Sequence, residues 1–210
     1  MNDSRPDRCG IFGGTFDPIH IGHVETVRQV MQQTGLPLVR YIPAALPPHR
    51  PQPGTSAEQR LTMVDLALQD QADMIVDARE LRRRGRSYTV DTVKSLQEEF
   101  PDIDFSLILG LDALLGFDQW HRWQALLGLV GIYVMVRPGY ALPDPLPDWW
   151  QAAGASEPVS LAAGKIQAIS IDPVDVSATG IREGIRAGAD QQHVLHPGVW
   201  QYIQTNKLYE

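Results

Sequence analysis

"IFGGTFDPIHIGH", Ile11 to His23, sets two glycines, a threonine hydroxyl, a carboxylate, a proline and two histidines directly behind the short apolar run Cys9–Phe12. An apolar run ending in Gly13–Gly14 reads as a first strand breaking into a tight turn, because glycine lets backbone approach a ligand closely. The run from Ile21 to Thr34 then carries Val24, Val27, Val30 and Met31 at helical spacing. A strand, a glycine turn and a helix start form a natural anion site, since the first N–H groups of a helix lack partners and carry the positive end of its dipole. His20 and His23, three apart, share a face if the first turn includes both. Gly22 between them leaves that face bare, a gap on which a flat base could rest. The same residues have plainer readings. A glycine pair after a strand is often only a turn, and two histidines at this spacing bind zinc only with a third ligand. Asp17 and His49 lack a ligand spacing for that, and the dinucleotide fingerprint G-x-G-x-x-G is absent.

Working outward, strands and helices alternate. Strands are expected at Leu38–Ile42, Met74–Val76, Phe105–Leu109, Val130–Val136 and Gln167–Ile171, and helices at Ala57–Asp70, Tyr88–Phe100, Ser177–Ala187 and Pro197–Asn206. Leu61, Val64, Leu66 and Leu68 supply the apolar positions of the Ala57–Asp70 helix. This pattern predicts an α/β fold, a Rossmann-like parallel sheet flanked by helices, with a small helical C-terminal extension. Residues 1–210 read as one domain, with 1–170 the α/β core and 171–210 the helical part. Pro43–Thr55, with five prolines, is a loop, and Arg137–Lys165, with five prolines and the pair Trp149–Trp150, is a long connection with one short helical turn.

The other end of the chain carries a second cluster, "VSATGIREGIRAG", Val176–Gly188. Ser177 is a good helix cap. Arg182 early in the helix and Arg186 four residues on form a like-charged pair near a positive dipole end, an arrangement a bound anion would relieve. A solvated basic face balanced by Glu183 is the plainer alternative.

Composition narrows the class. The formal net charge of −7 argues against general nucleic-acid affinity, so an anionic ligand must be held by local positive groups. A single cysteine, Cys9, excludes an intrachain disulfide and fits a reducing compartment. No secretory leader and no membrane-spanning run is expected, which points to a cytoplasmic protein with no membrane partner.

Gly13-Gly14-Thr15-Phe16-Asp17-Pro18-x-His20-x-Gly22-His23 resembles the first signature of the H-x-G-H nucleotidyltransferase superfamily, and Ser177-x-Thr179-x-Ile181-Arg182 is similar to its second. Between them, Pro47-Pro48-His49-Arg50, Arg60-Leu61-x-Met63, Ser87–Thr92, Gly110-x-Asp112, Trp120 and Arg137-Pro138-Gly139-Tyr140 resemble bacterial nicotinate-mononucleotide adenylyltransferases in particular. The likeness covers nearly the whole chain. This chain departs from the pattern at Ala44–Ala45, where several relatives carry asparagine, and at His121, where tyrosine is frequent.

The resemblance implies transfer of AMP from ATP to nicotinate mononucleotide, with Mg²⁺ held mainly by substrate and water. It makes His20, His23 and Arg182 the catalytic residues. ATP would be bound by Gly13, Gly14, Thr15, Phe16, His20, Gly22, His23, Gly110, Asp112, Ser177, Thr179 and Arg182. His49, Arg50, Tyr88, Thr89, Trp120 and Arg137 would bind the acceptor, with Trp120 stacking on its electron-poor ring, as aromatic faces attract cations. Trp120 could instead be core, sharing a face with Trp123. Three alternatives stay open: the amidated acceptor nicotinamide mononucleotide, a non-catalytic nucleotide sensor, and a class I aminoacyl-tRNA synthetase fragment, which the missing lysine-containing K-M-S-K-type loop disfavours. Oligomeric state, homo-oligomers included, is not legible in the sequence.

Overall fold

The structure, a computed structural model, describes residues 6–45, 53–83, 85–137, 139–140, 142–154 and 161–210. Among these the order is β1 (Arg8–Gly14), α1 (Ile21–Thr34), β2 (Val39–Pro43), α2 (Ala57–Leu68), β3 (Met74–Val76), α3 (Arg79–Arg82), α4 (Thr89–Glu99), β4 (Asp104–Gly110), α5 (Leu111–Leu115), α6 (Trp123–Leu127), β5 (Gly131–Val136), α7 (Asp148–Ala153), β6 (Ile166–Ser170), α8 (Ala178–Arg186) and α9 (Pro197–Thr205). The strands form a six-stranded sheet in the order β3-β2-β1-β4-β5-β6. β1 pairs with β4, β4 with β5 and β5 with β6, all parallel. Parallel strands need crossovers, and the helices between them supply these. The expected Rossmann-like α/β architecture is the one observed.

The chain divides into two compact units. The first holds Met1–Phe12, Thr26–Val39 and Tyr88–Pro173. Its central strands are apolar on both faces, as a sheet covered on both sides requires: Phe105, Leu107, Ile108, Ile132 and Val134 are all buried. Two glycines let neighbours approach closely. A Cβ on Gly10 would lie 2.9 Å from Ile108 Cδ1 and 3.0 Å from Val39 Cγ2, and one on Gly131 would lie 2.5 Å from Leu161 Cγ. The described residues of Arg137–Lys165 include the expected short helix, α7, whose Trp149 packs with Phe117 and Trp123 at ring-centroid distances of 5.6 and 5.8 Å.

The second unit holds Gly13–Glu25, Arg40–Ser87 and Val174–Glu210. Here α2 opens with a full capping box between Ser56 and Gln59, which satisfies two otherwise unpaired helix-start donors. Its buried stripe is Arg60, Met63, Val64, Ala67 and Leu68. The expected apolar positions Leu61 and Leu66 are only half-buried. The true stripe has the i, i+3, i+4, i+7, i+8 spacing of a helix face, with an arginine at its head.

Helix α2 packs on α9, which begins at Pro197 with the His196 imidazole accepting from Gly198 N–H at 3.1 Å. Lys207, at φ 51°, ends α9. Lys207 N–H reaches Gln204 O and Leu208 N–H reaches Ile203 O, the paired bonds of a Schellman turn. The short helices α3, α5 and α6 were not expected, because four or five residues are too few to show a period.

Candidate active site

The two signature segments and their surroundings lie in the second unit. β1 runs out at Gly13–Gly14, and the chain then takes a left-handed turn at Phe16 (φ 51°). A non-glycine residue there costs about 1–3 kcal/mol and persists only where its surroundings hold it, most often at functional sites. The Phe16 ring lies over Gly14, where a Cβ would come within 2.8 Å of it. It also meets His23 edge-on, with centroids 5.2 Å apart. Asp17–Pro18 is cis, and α1 starts at Ile21.

His20 therefore stands just before the helix rather than in its first turn. Its backbone N–H donates to His23 Nδ1 at 3.2 Å, and its carbonyl accepts from His23 N–H at 2.9 Å. The histidine at the third helical position thus reaches back to the capping residue's N–H, the part glutamate or glutamine takes in a capping box. A ring that accepts at Nδ1 carries its proton on Nε2 when neutral. The two imidazoles stack at 3.8 Å with a 27° tilt, so the expected shared face is present, built by capping rather than by helical pitch. Tyr41 Oη donates to the His23 carbonyl at 3.1 Å.

Gly22 is buried, and the bare gap expected beside it for a flat base is filled. A Cβ there would lie 2.7 Å from Val176 Cγ1 and 3.0 Å from His20 Nδ1. The missing side chain admits the segment that leads into α8. Ser177 caps α8, its hydroxyl accepting from Gly180 N–H at 3.1 Å. Arg182 sits in the second turn of α8, beyond the strongest part of the dipole. Arg186 is in the last turn, where a cation is favourable, so the expected strain between the pair is smaller than the sequence suggested. Arg182 Nη1 donates to the Asp17 carbonyl at 2.8 Å, and Nη2 to Thr179 Oγ1 at 3.2 Å. A guanidinium from the second signature thereby grips the backbone of the first.

Asp17 is buried, and its carboxylate is also held. Gly54 N–H donates to Oδ2 at 3.1 Å, and the Thr55 hydroxyl and Tyr209 Oη (2.7 Å) both donate to Oδ1. Burial raises the Tyr209 phenol far above its usual range, and the Asp17 charge pushes it the same way. Arg60, 1% exposed, donates to the Thr15 carbonyl at 2.7 Å and to the Ala45 carbonyl at 3.3 Å. Its burial lowers the guanidinium pKa, against the opposing pull of Asp17 and Tyr209. Thr55, Tyr209 and Val176 were missed from sequence as parts of this loop. Arg60, noted only through the family likeness, was open to direct reading as the lone charge on an apolar helix stripe.

The remaining candidates that fall on described residues belong to the first unit. Gly110 ends β4 and precedes α5, with Asp112 exposed in that helix's first turn. Gly110 pairs in register with Met135 of β5, so Arg137, exposed just after β5, leaves the sheet at the same strand ends. Ligands in open α/β sheets bind beyond such carboxyl ends. Thr89 opens α4 and Tyr88 precedes it with no side-chain capping bond. Tyr88 stacks on His121 with centroids 4.2 Å apart, a contact the sequence did not foretell. Trp120 is half-buried against Phe117 at 5.5 Å, and Trp123 meets the same ring at 6.2 Å. The two tryptophans share a neighbour but no helix face, because Arg122 between them is left-handed (φ 55°). His49 and Arg50 lie outside the described residues, as does Pro138.

A parallel α/β sheet whose first strand ends in a glycine turn, stacked histidines and an arginine from a distant helix defines a nucleotidyltransferase. Residues 11–184 match the cytidylyltransferase-like family. Proteins named "Probable nicotinate-nucleotide adenylyltransferase" from Aeromonas hydrophila and Laribacter hongkongensis are each 42% identical over 205 residues, covering 95% of this chain and 96% and 93% of theirs. The chain belongs to the cytidylyltransferase-like family and, within it, to the nicotinate-nucleotide adenylyltransferases. The fold is also that of the Plasmodium falciparum nicotinic acid mononucleotide adenylyltransferase solved with NaAD, with a TM-score of 0.73 at 18% identity over 96% of this chain and 97% of that one.

Proposed function

We propose that this chain transfers the AMP moiety of ATP to nicotinate mononucleotide, giving deamido-NAD (nicotinate adenine dinucleotide) and pyrophosphate, as a step of NAD biosynthesis. The observation that carries the reading is the 2.8 Å bond from Arg182 to the Asp17 carbonyl, which supports a single phosphate site built from both signatures. The relatives' shared name supports the choice of acceptor. A phosphate oxygen of the mononucleotide attacks the α-phosphorus of ATP. The new P–O bond forms as the bond to the β-phosphate oxygen breaks, and pyrophosphate leaves. The attacking phosphate is already anionic at neutral pH, so the reaction needs no general base. Catalysis comes from alignment and from neutralising charge as it develops.

In this scheme the N–H groups at the start of α1, with Gly13, Gly14 and Thr15, cradle the phosphates. His20 and His23 contact the phosphoryl group in transfer, His23 through the Nε2–H that its Nδ1 bond selects. Ser177, whose oxygen accepts from Gly180, keeps its own hydrogen to donate to a β- or γ-phosphate oxygen, and Thr179 and Arg182 stabilise the leaving pyrophosphate. Gly110 and Asp112 serve the adenosine. Tyr88 and Thr89 offer the uncapped N–H groups of α4 to the nicotinate carboxylate, Trp120 stacks on the pyridinium ring, and Arg137 joins the acceptor side.

Among the described residues no three His, Cys, Asp or Glu side chains cluster as a metal cage. Mg²⁺ would enter with the triphosphate, held mainly by substrate and water, and would neutralise phosphate charge. No helix among the described residues is long and apolar enough to cross a membrane. The test is pyrophosphate release from ATP with nicotinate or nicotinamide mononucleotide as acceptor. Faster turnover with the acid is expected, and His23→Ala should lower kcat by at least 100-fold while the fold is kept. ATP binding without pyrophosphate release in the presence of either acceptor would leave a sensor instead.

A further inference from the structure

We infer that Tyr209, outside both signatures, is a positioning residue for adenylyl transfer: its hydroxyl fixes Asp17, and with it the backbone carbonyl that orients Arg182 and the loop that leads to His20 and His23. The inference rests on the reaction proposed above.

Four observations carry it. The ring is delivered by a dedicated turn, since the Schellman bonds after α9 reverse the chain at Lys207 (φ 51°), and Tyr209 is itself left-handed (φ 69°). Two successive departures from ordinary backbone within three residues are held only where surroundings compel them. The phenol is buried and donates to Asp17 Oδ1 at 2.7 Å, sharing that oxygen with the Thr55 hydroxyl while Gly54 N–H takes Oδ2. Asp17 is therefore clamped at both ends, its carboxylate by these three donors and its carbonyl by Arg182 at 2.8 Å. The loop has a second support in Arg60, which holds the Thr15 carbonyl from the buried face of α2. Burial and the Asp17 charge raise the Tyr209 phenol's pKa and the Arg182 charge lowers it, so the hydroxyl lies within electrostatic reach of both partners in the clamp. A residue that tightens this clamp acts on how Arg182 meets the leaving group and makes no contact with the substrate itself.

The test is Tyr209→Phe, which keeps the ring and removes only the hydroxyl, assayed beside wild type and Tyr202→Phe. Tyr202→Phe deletes a hydroxyl from α9 outside the clamp and should leave both constants within twofold. For Tyr209→Phe the expected result is a roughly tenfold fall in kcat and a KM for the acceptor within twofold of wild type, with unchanged circular dichroism. Thr55→Val, which removes the other donor to the same carboxylate oxygen, should reproduce the split and covers the case in which Tyr209→Phe fails to fold. A folded Tyr209→Phe or Thr55→Val with kcat within twofold of wild type overturns the inference, whatever its melting temperature. A wild-type protein that releases no pyrophosphate with either acceptor sinks the proposed reaction instead, so the two failures are separable.

Discussion

Replacing Gly22 with alanine adds one methyl group where the structure has no room for it. The new Cβ would sit 2.7 Å from Val176 Cγ1, 3.0 Å from His20 Nδ1 and 3.1 Å from His20 Cε1. Neither neighbour can yield cheaply. Val176 is β-branched and stiff at χ1, and the His20 ring is buried against His23 at 3.8 Å. Contact between carbons is comfortable near 3.5–4.0 Å, so relief requires the entry to α8, or the imidazole, to move by the better part of an ångström. Overpacking of this kind costs about 1–3 kcal/mol. In a chain of this size each kcal/mol lowers Tm by about 2–4 °C, so a fall of roughly 2–12 °C is expected in calorimetry. The same displacement shifts the entry to α8, whose Arg182 holds the Asp17 carbonyl in the loop that leads to the histidines. A misplacement near 1 Å can cost about 100-fold in rate, so a loss of roughly 10- to 100-fold in kcat is expected by pyrophosphate release. A Gly22→Ala protein with wild-type Tm and wild-type kcat would refute the packing of Val176 against the H-x-G-H turn.

Two further outcomes follow from the same structure. Gly131→Ala drives a Cβ to 2.5 Å from Leu161 Cγ and 2.7 Å from the Leu161 carbonyl oxygen. Backbone gives less readily than a side chain, so a loss at or above the upper end of the ~1–3 kcal/mol overpacking range is expected in urea unfolding. Kinetic constants measured below the transition should be unaffected. Tyr133 and Tyr209 both have phenol pKa values raised by burial, while an unfolded tyrosine titrates near 10. Above about pH 10 the unfolded chain releases these protons and the folded chain keeps them, so stability is intact below that pH and falls as pH rises. Alkaline melts should show a Tm that drops from about pH 10 upward, with a shallower drop in Tyr209→Phe. An equal slope in both proteins would show that Tyr209 makes no such contribution.

The parts legible in the sequence were those with a period or a punctuation mark. The α1 helix was read to its ends because its apolar spacing is regular and a glycine-rich turn precedes it. Ser177 was read as a cap because its type and place suit one, and it caps α8. What escaped was set by tertiary contact. The apolar face of α2 was misplaced because an arginine heads it, and arginine counts as polar until the carbonyls it serves, those of Thr15 and Ala45, are seen. Gly22 was read as an opening, since nothing local says that Val176, more than 150 residues away, fills it. Trp120 and Trp123 looked like one helix face because a left-handed Arg122 leaves no mark in composition. Tyr209 carried no signal at all, as one buried hydroxyl meeting one buried carboxylate has no sequence period.

The clasp between Arg182 and the Asp17 carbonyl spans 165 positions of chain. A ribosome adding about 5–20 residues per second therefore releases the glycine turn roughly 8–33 seconds before the guanidinium that secures it. Until then the loop that presents the histidines rests on the donors of Gly54, Thr55 and Arg60 and lacks its clasp from α8. Fragments cut short of α8 should release pyrophosphate more slowly than the full chain, however well their strands assemble.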